Sequence, residues 1–425
     1  MFKFLHAADI HLDSPLSGLG RSGDGPADEV RGATRRALEN LVALAIAEGV
    51  KFVLIAGDVY DGDCLDLRAG LWFIARMQEL AEAGIAVYLI RGNHDAENRV
   101  MRDLDFPDSI RRLSIDGPES VAIDDLGVMI HGQGFKQQKV IDDLAAGYPS
   151  ATRGLLNIWM LHTCADGDEK SPHARYAPCS LDTLRSKGYG YWALGHVHTR
   201  KTLCDRSGRI EFPGNIQGRH IRETGAKGCL LVTVDDKGEV KGVDFRPLDV
   251  VRWEKCRIDG EGVADQDGLL DSFSVESGRL LDEADGRTLV VRVEVHGPSA
   301  AHADLMADQP ELITQLRSRA LQIGSGRLWV EKLKIATTAN EPREVEELSG
   351  DAMGVLIETI DDYRRDANAL MKLASEELES LRKKLPAELL CRDRVDFEDV
   401  EWLRDILDAA RPIVESKLNA TPSRR

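Results

Sequence analysis

The sequence predicts an α/β fold: a layered α/β sandwich over residues 1–249, a small α+β domain over 250–340 and a helical region over 341–425. Three observations carry this. Through the first half, short β-favouring runs alternate with helical stretches closed by Gly. From Val251 the order changes to strand, helix, strand, helix, strand. Beyond Glu341 only helical periodicity remains. At 425 residues the chain is too long for one ordinary core, so about two or three domains are expected.

The elements follow in order. Phe2–Ala8 reads as a strand, and a Gly-, Ser- and Asp-containing loop covers Ser17–Asp28. A helix near Ala33–Glu48 ends at Gly49, and a second near Leu65–Ala83 ends at Gly84. Phe52–Ala56 and Ile85–Ile90 are short buried strands. Further strands are predicted at Val128–His131, Leu156–Leu161, Tyr191–Leu194 and Cys229–Val234. In the second domain the clearest strand is Leu289–Val295, where valines alternate with Arg292 and Glu294.

Composition narrows the function. A net charge of −17 argues against broad polycation-style binding to nucleic acid, while leaving room for a local basic groove or a bound metal ion. Seven Cys, an odd number with no C-x-x-C pair, read as reduced thiols. The N-terminus meets charge too early for a signal peptide. The longest apolar run, about LVALAIA, falls far short of the ~20 residues of a membrane helix. A soluble, cytoplasmic protein is expected, with no membrane partner.

Five polar clusters each end a predicted strand: Asp9 and His11; Gly57 and Asp58; Asn93, His94 and Asp95; His162; and His196 with His198. Alone, each has an ordinary reading. Gly-Asp is a turn, and a lone His is more often a hydrogen-bonded structural residue than a ligand. Together, at loops that α/β sheets bring to one edge, they point to a metal site. Imidazole, carboxylate and amide oxygen suit Mn, Fe or Zn. No Cys takes part, which excludes a structural zinc site of the usual kind. Two ions about 3.5–4 Å apart would need one bridging carboxylate.

The set DIH, GDVYD, GNHD, LHT and GHVH resembles the calcineurin-like metallophosphoesterase family, and within it the SbcD-like DNA repair exonucleases. The segment FPGNIQGRHIRETGAKGC, Phe212–Cys229, is most similar to the bacterial YhaO-type branch. The motifs cover residues 1 to about 230, and the later domains match in order and length. The resemblance implies two divalent ions, Mn most of all. It assigns Asp9, His11 and His198 to one ion and Asn93, His162 and His196 to the other, with Asp58 bridging. It makes His94 the acid for the leaving oxygen, with Asp95 either orienting the imidazole or capping its own turn. Asp61 stands where archaeal and eukaryotic relatives carry a second catalytic His, as in bacterial SbcD-like proteins.

Arg200, Lys201, Arg206, Arg209, Arg219, His220 and Arg222 form a locally basic stretch, read as a phosphate-tracking lip or as a solvated loop. Within GNIQGRH, Asn215, Gln217, Arg219 and His220 are the candidate substrate contacts. Tyr60 and Arg91 could touch phosphates or be structural. The second domain resembles the family's capping, DNA-orienting domain, and His296 and His302 in it read as structural or solvated.

In the last region Ile360, Tyr363, Ala367, Leu370, Ala374, Leu378, Leu381 and Leu385 make one stripe on a helix ended by Pro386. Val400, Leu403, Leu407, Ala410 and Val414 make a second, kinked at Pro412. The stripes either pack on each other or the core, or dock an SbcC-like coiled-coil ATPase, as the resemblance implies. DNA is the implied substrate, and homodimers are common in the family. The function read from all this is a two-metal DNA phosphodiesterase, a 3′→5′ exonuclease with single-strand endonuclease activity. The alternatives are an esterase for a small phosphodiester and a non-catalytic protein-binding scaffold.

Overall fold

The computed structural model describes residues 1–14, 32–61, 66–98, 106–165, 176–205, 208–339, 352–379 and most of 399–411. The predicted loop at Ser17–Asp28, Leu65, Arg206, Leu381, Leu385, Pro386, Pro412 and Val414 lie outside them. The chain divides into two compact units: residues 1–255 with 280–291 and 327–331, and residues 256–279 with 292–326 and 332–425.

Among the described residues twelve strands precede Val251: β1 (Phe2–Ala7), β2 (Phe52–Ala56), β3 (Ala86–Ile90), β4 (Ile110–Arg112), β5 (Glu119–Ile123), β6 (Val128–Gln133), β7 (Leu156–His162), β8 (Tyr191–Gly195), β9 (Lys201–Cys204), β10 (Arg209–Phe212), β11 (Gly228–Val234) and β12 (Val240–Pro247). They form two six-stranded sheets, ordered β12-β11-β1-β2-β3-β4 and β5-β6-β7-β8-β10-β9. β1, β2 and β3 run parallel, as do β6, β7 and β8.

Alternation along the strands builds the layers. Phe4, Phe52, Leu54 and Ile90 of one sheet share a core with Ile130, Ile158, Met160 and Tyr191 of the other. The intervening residues Leu5, Val53, Ile55 and Leu89 face the opposite way. They pack with Leu38 and Leu41 of the helix Ala33–Glu48 and with Phe73 and Met77 of the helix Leu67–Glu82. Strands buried on both faces read as continuous apolar runs, which is why β2, β3 and β7 were legible. Sequence reading missed β4, β5, β9, β10 and β12. Four of these, β4, β5, β9 and β12, lie at sheet edges. An edge strand can be short and charged, as Ile110–Arg112 and Lys201–Cys204 are.

Three longer strands, β13 (Val251–Asp259), β14 (Thr288–Ser299) and β15 (Leu328–Ala339), form a separate sheet in that order. Helices Gln266–Glu283, His302–Ala307 and Gln309–Gly324 lie between them in sequence. His302 bonds Thr337 (Nδ1 to Oγ1, 2.9 Å), a structural use, and His296 is exposed. Among the described residues no helix is long and apolar enough to cross a membrane.

The helical region corrects one reading. The stripe from Ile360 does not lie on a single helix: Ala352–Arg365 and Ala367–Glu377 are separated at Asp366. That residue is extended (φ −98°, ψ 97°), and its carboxylate accepts the N–H groups of Asn368 and Ala369, so it caps a new helix instead of continuing the old one. Tyr363, Leu370, Ala374 and Leu378 pack with Trp402, Leu403 and Leu407. Arg364 pairs with Asp408 and Arg411 with Asp361, each at 3.0 Å. The two stripes therefore meet each other.

Candidate metal centre

The parallel strands β1, β2 and β3 end together, and so do β7 and β8. Their C-terminal ends carry all five polar clusters. The backbone there is unusual: Asp9, His11 and Asp58 have φ of 52°, 47° and 52°, and His196 has 96°. Such left-handed conformations cost energy in non-Gly residues and persist only where the surroundings impose them. Here they are held by hydrogen bonds between strand ends, Asp9 N–H to Gly57 O and His11 N–H to Asp58 O, each 3.1 Å. Two glycines permit the crowding. A Cβ on Gly92 would overlap the Asp58 carboxylate, and one on Gly195 would overlap the Ala56 carbonyl.

Hydrogen bonds fix the tautomers of three imidazoles. His11 Nδ1 donates to Asp61 Oδ1 at 2.6 Å, and His198 Nδ1 to Glu223 Oε1 at 2.7 Å. His162 Nδ1 donates to the Ala56 carbonyl at 2.9 Å. Carboxylates and carbonyls only accept, so in the neutral ring each Nε2 carries the lone pair. Those lone pairs converge on other acceptors. His11 Nε2 and His198 Nε2 are 3.2 Å apart. His162 Nε2 lies 3.0 Å from Asn93 Oδ1 and 3.2 Å from Asp58 Oδ2. Acceptors facing at such distances need positive charge between them, a shared metal ion or, in the metal-free centre, a proton. Asp9, His11 and His198 can share one ion, and Asp9, Asp58 and His162 another. The residues present thus fit two divalent ions.

In the metal-free centre a proton takes that place on His162. Burial would lower the His162 pKa, yet the carboxylates of Asp58 and Asp9 outweigh it and raise the imidazole to about 9. Burial would raise Asp58, but the imidazoles of His162, His11 and His94 hold it well below the usual carboxylate range. His11 is pushed down to about 4, first by burial and then by the nearby Arg219 guanidinium, which keeps it neutral and fit to be a ligand. By contrast His6, buried between the sheets against Tyr191 and the Leu194 carbonyl, is satisfied and structural.

Each predicted site residue has a place. Asp9, His11, Asp58, Asn93, His162 and His198 come together as described. His196 is brought in through its ring, 5.2 Å from that of His162, and its N–H donates to Asp9 at 3.1 Å. His94 sits at the mouth with its side chain 40% exposed. Its N–H donates to Asp58 Oδ1 at 2.9 Å, and its Nδ1 is 3.7 Å from Asp61 Oδ1.

Contacts decide the readings of Asp95, Asn215, Gln217, Arg219 and His220. Asp95 does not orient His94: it is fully buried, and its oxygens accept the N–H groups of Tyr60 and Gly92, each at 3.0 Å. It caps the short helix Asn93–Glu97 and joins the loops that carry Asp58 and Asn93. Asp95→Ala should therefore lower stability by about 2–4 kcal/mol, since two buried donors lose their acceptor. A thermal melt checks this, and an unchanged Tm with reduced turnover would return Asp95 to the reaction.

Asn215 and Gln217 are buried and do not face a substrate. Asn215 Nδ2 donates to Glu223 at 3.0 Å, and Gln217 bonds the Val250 and Val251 backbone. Arg219 lies against Asp61 and Glu223, and His220 Nε2 lies 3.7 Å from Glu223. These side chains turn inward because Glu223, buried in the same loop, needs donors. Glu223 itself escaped sequence reading, for in RETG it looks like any surface acid. Of the basic lip, Arg200 stacks over Phe245 at 4.3 Å and Arg209 lies 3.6 Å from Glu211, while Lys201 and Arg222 are exposed. Tyr60 and Arg91 are buried.

Comparison with known proteins bears on this centre. Residues 2–200 match the family model of calcineurin-like phosphoesterases, and residues 253–338 that of the middle domain of metallophosphoesterase YhaO. The curated "Uncharacterized metallophosphoesterase YhaO" of Bacillus subtilis (strain 168) is 34% identical over 259 residues, 60% of this chain and 62% of that protein. The DNA double-strand break repair protein Mre11 of Aeropyrum pernix is 24% identical over 281 residues, 61% of this chain and 63% of its own. The protein of the same name from Saccharolobus solfataricus is 25% identical over 218 residues, 49% and 53%. The chain thus spans a little over half to about three fifths of the length of these curated relatives. Calcineurin-like phosphoesterases bind two divalent metals, the number that the converging donors of β1, β2, β3, β7 and β8 call for here. Residues 2–200 thus belong to the calcineurin-like phosphoesterase family, and the domain at 253–338 matches the middle domain of its YhaO-type branch.

Proposed function

We propose that this chain is a two-metal-dependent DNA phosphodiesterase, a 3′→5′ exonuclease with single-strand endonuclease activity. In this reading it acts at DNA ends in double-strand-break repair, with an SbcC-like coiled-coil ATPase as partner and the cytoplasm as its compartment. The observation that carries the reading is the convergence of the His11, His198 and His162 Nε2 atoms among Asp9, Asp58 and Asn93. These donors suit Mn. Bound there, two divalent ions supply an activated water and positive charge for the phosphoryl oxygens. The chain's own part is positioning and proton delivery. Asp58 holds the His94 backbone N–H, which leaves the half-exposed imidazole at the mouth, able to protonate the leaving 3′-oxygen. The Mre11 name of two relatives supports DNA as the substrate.

A second reading, a small phosphodiester as substrate, is favoured by the inward turn of Asn215 and Gln217, which removes two expected DNA contacts. One assay separates the readings. Purified protein with Mn, Mg or no metal is given end-labelled duplex and single-stranded DNA, with bis-p-nitrophenyl phosphate alongside. Mn-dependent release of nucleotides from 3′ ends is the expected result. Hydrolysis of the small ester alone would favour the second reading, and no hydrolysis at all would favour a scaffold.

A chain ending at Ala339 tests the partner. It should bind Mn and cleave the small ester. It should fail to co-purify with a co-expressed SbcC-like ATPase and lose ATP-stimulated duplex cleavage. The helices it lacks pack on one another through Leu370, Ala374 and Leu403. A complex that still forms would show that they are not the docking element.

A further inference from the structure

We propose that Arg219 is a positioning residue that sets one of the two metal positions, by tying together the carboxylates of Asp61 and Glu223. Its Nη1 lies 3.5 Å from Asp61 Oδ1 and 3.3 Å from Ser14 Oγ, and its Nη2 lies 3.2 Å from Glu223 Oε1. Its own backbone N–H donates to Glu223 Oε2 at 2.7 Å. The two carboxylates it joins hold the Nδ1–H groups of His11 and His198, the two imidazoles of one metal position. One carboxylate comes from the loop after β2 and the other from the loop before β11. Nothing else described links them directly.

The chemistry explains why a cation belongs there. A carboxylate that accepts Nδ1–H orients the ring and makes Nε2 a better donor to a metal. Two such carboxylates around one centre repel each other. Their side chains are only 16% and 6% exposed, so water screens them little. A guanidinium is always charged and presents its N–H groups in a rigid fork, so it can offset both charges at once. At the other position His162 is held differently, by the neutral Ala56 carbonyl, and faces Asn93 and Asp58. Loss of Arg219 should therefore affect the two ions unequally. Asp61 also lies 3.7 Å from His94 Nδ1, so the same clamp reaches the proposed acid.

The inference rests on the two-metal reading of the site and not on the identity of the substrate. Its test is titration of the full chain with Mn alone, followed by calorimetry and by the electron paramagnetic resonance of unbound Mn. Wild type, Arg219→Ala, Arg219→Lys and Glu223→Gln are compared, each with a thermal melt. Wild type should bind two ions. Arg219→Ala should weaken one of them by about 10–100-fold and leave the other as it was. Arg219→Lys should recover part of the loss, and Glu223→Gln should weaken the same ion. Two ions at wild-type affinity with only a raised KM would make Arg219 a substrate contact and overturn the proposal. Equal weakening of both ions, or unfolding of all three variants, would overturn it as well. Fewer than two ions on the wild type would sink the two-metal reading itself, a result distinct from the others.

Discussion

Asp58→Ala should abolish phosphodiester hydrolysis and reduce the bound metal, with a loss in rate on the order of 10³-fold or more. Its carboxylate touches three imidazole-bearing residues of the centre. Its Oδ2 is 3.2 Å from His162 Nε2 and 4.0 Å from His11 Nε2, and its Oδ1 accepts the His94 N–H. Without it, two cations would face each other with one less negative charge between them. A second consequence can be read without any substrate. The Asp58 carboxylate is the foremost group holding the His162 imidazole up at about 9 against burial. Removing it should shift the metal-free His162 titration to lower pH, which imidazole NMR resonances would report. Wild-type metal content in an inactive variant would show that Asp58 is not a ligand.

His94→Gln should leave both ions and DNA binding in place, yet slow turnover by about 10²–10⁴-fold. The distinction follows from position. The imidazole is 40% exposed and lies outside the two groups that contain Asp9; among the described residues it groups only with His11 and Asp61, where the His11 Nδ1–H already donates to the Asp61 carboxylate. Only its backbone N–H is tied to Asp58, and Gln keeps that bond. Its Nδ1 approaches Asp61 at 3.7 Å, a separation that can close as a phosphate arrives. Single-turnover rates on labelled DNA, with metal content measured on the same samples, check both halves. Near-wild-type turnover would remove His94 from the mechanism.

The two kinds of residue in this site were not equally legible. Metal ligands gather at the ends of buried strands, and buried strands announce themselves as unbroken apolar runs. The candidate ligands Asp9, His11, Asp58, Asn93, His162, His196 and His198, with His94 beside them, could therefore be proposed from the sequence, each just after such a run. Their supports could not. Asp61 looked like a departure from a two-histidine pattern, and the structure shows it holding His11 Nδ1 at 2.6 Å. Glu223 had no signal at all. Asn215, Gln217 and Arg219 looked like a surface lip because a polar, Gly-containing loop usually is one.

The sequence by itself determined the layered α/β core, the parallel strands that carry the ligands and the chemistry of the donor set. It could do so because burial on both faces and the change from apolar strand to polar loop are written in residue order. Only the tertiary structure decided which way each polar side chain points. Asp95 went to the backbone, since two buried N–H groups at the turn had no other acceptor. Gln217 went to the Val250–Val251 backbone for a similar reason, and Asn215 and Arg219 turned in toward a buried carboxylate. The break at Asp366 was settled likewise, by a side chain capping the N–H groups just after it. Hydrogen bonds between residues far apart in the chain, or between a side chain and an unfilled backbone donor, leave no periodicity to read, and they set the difference between a ligand, its support and a contact with substrate.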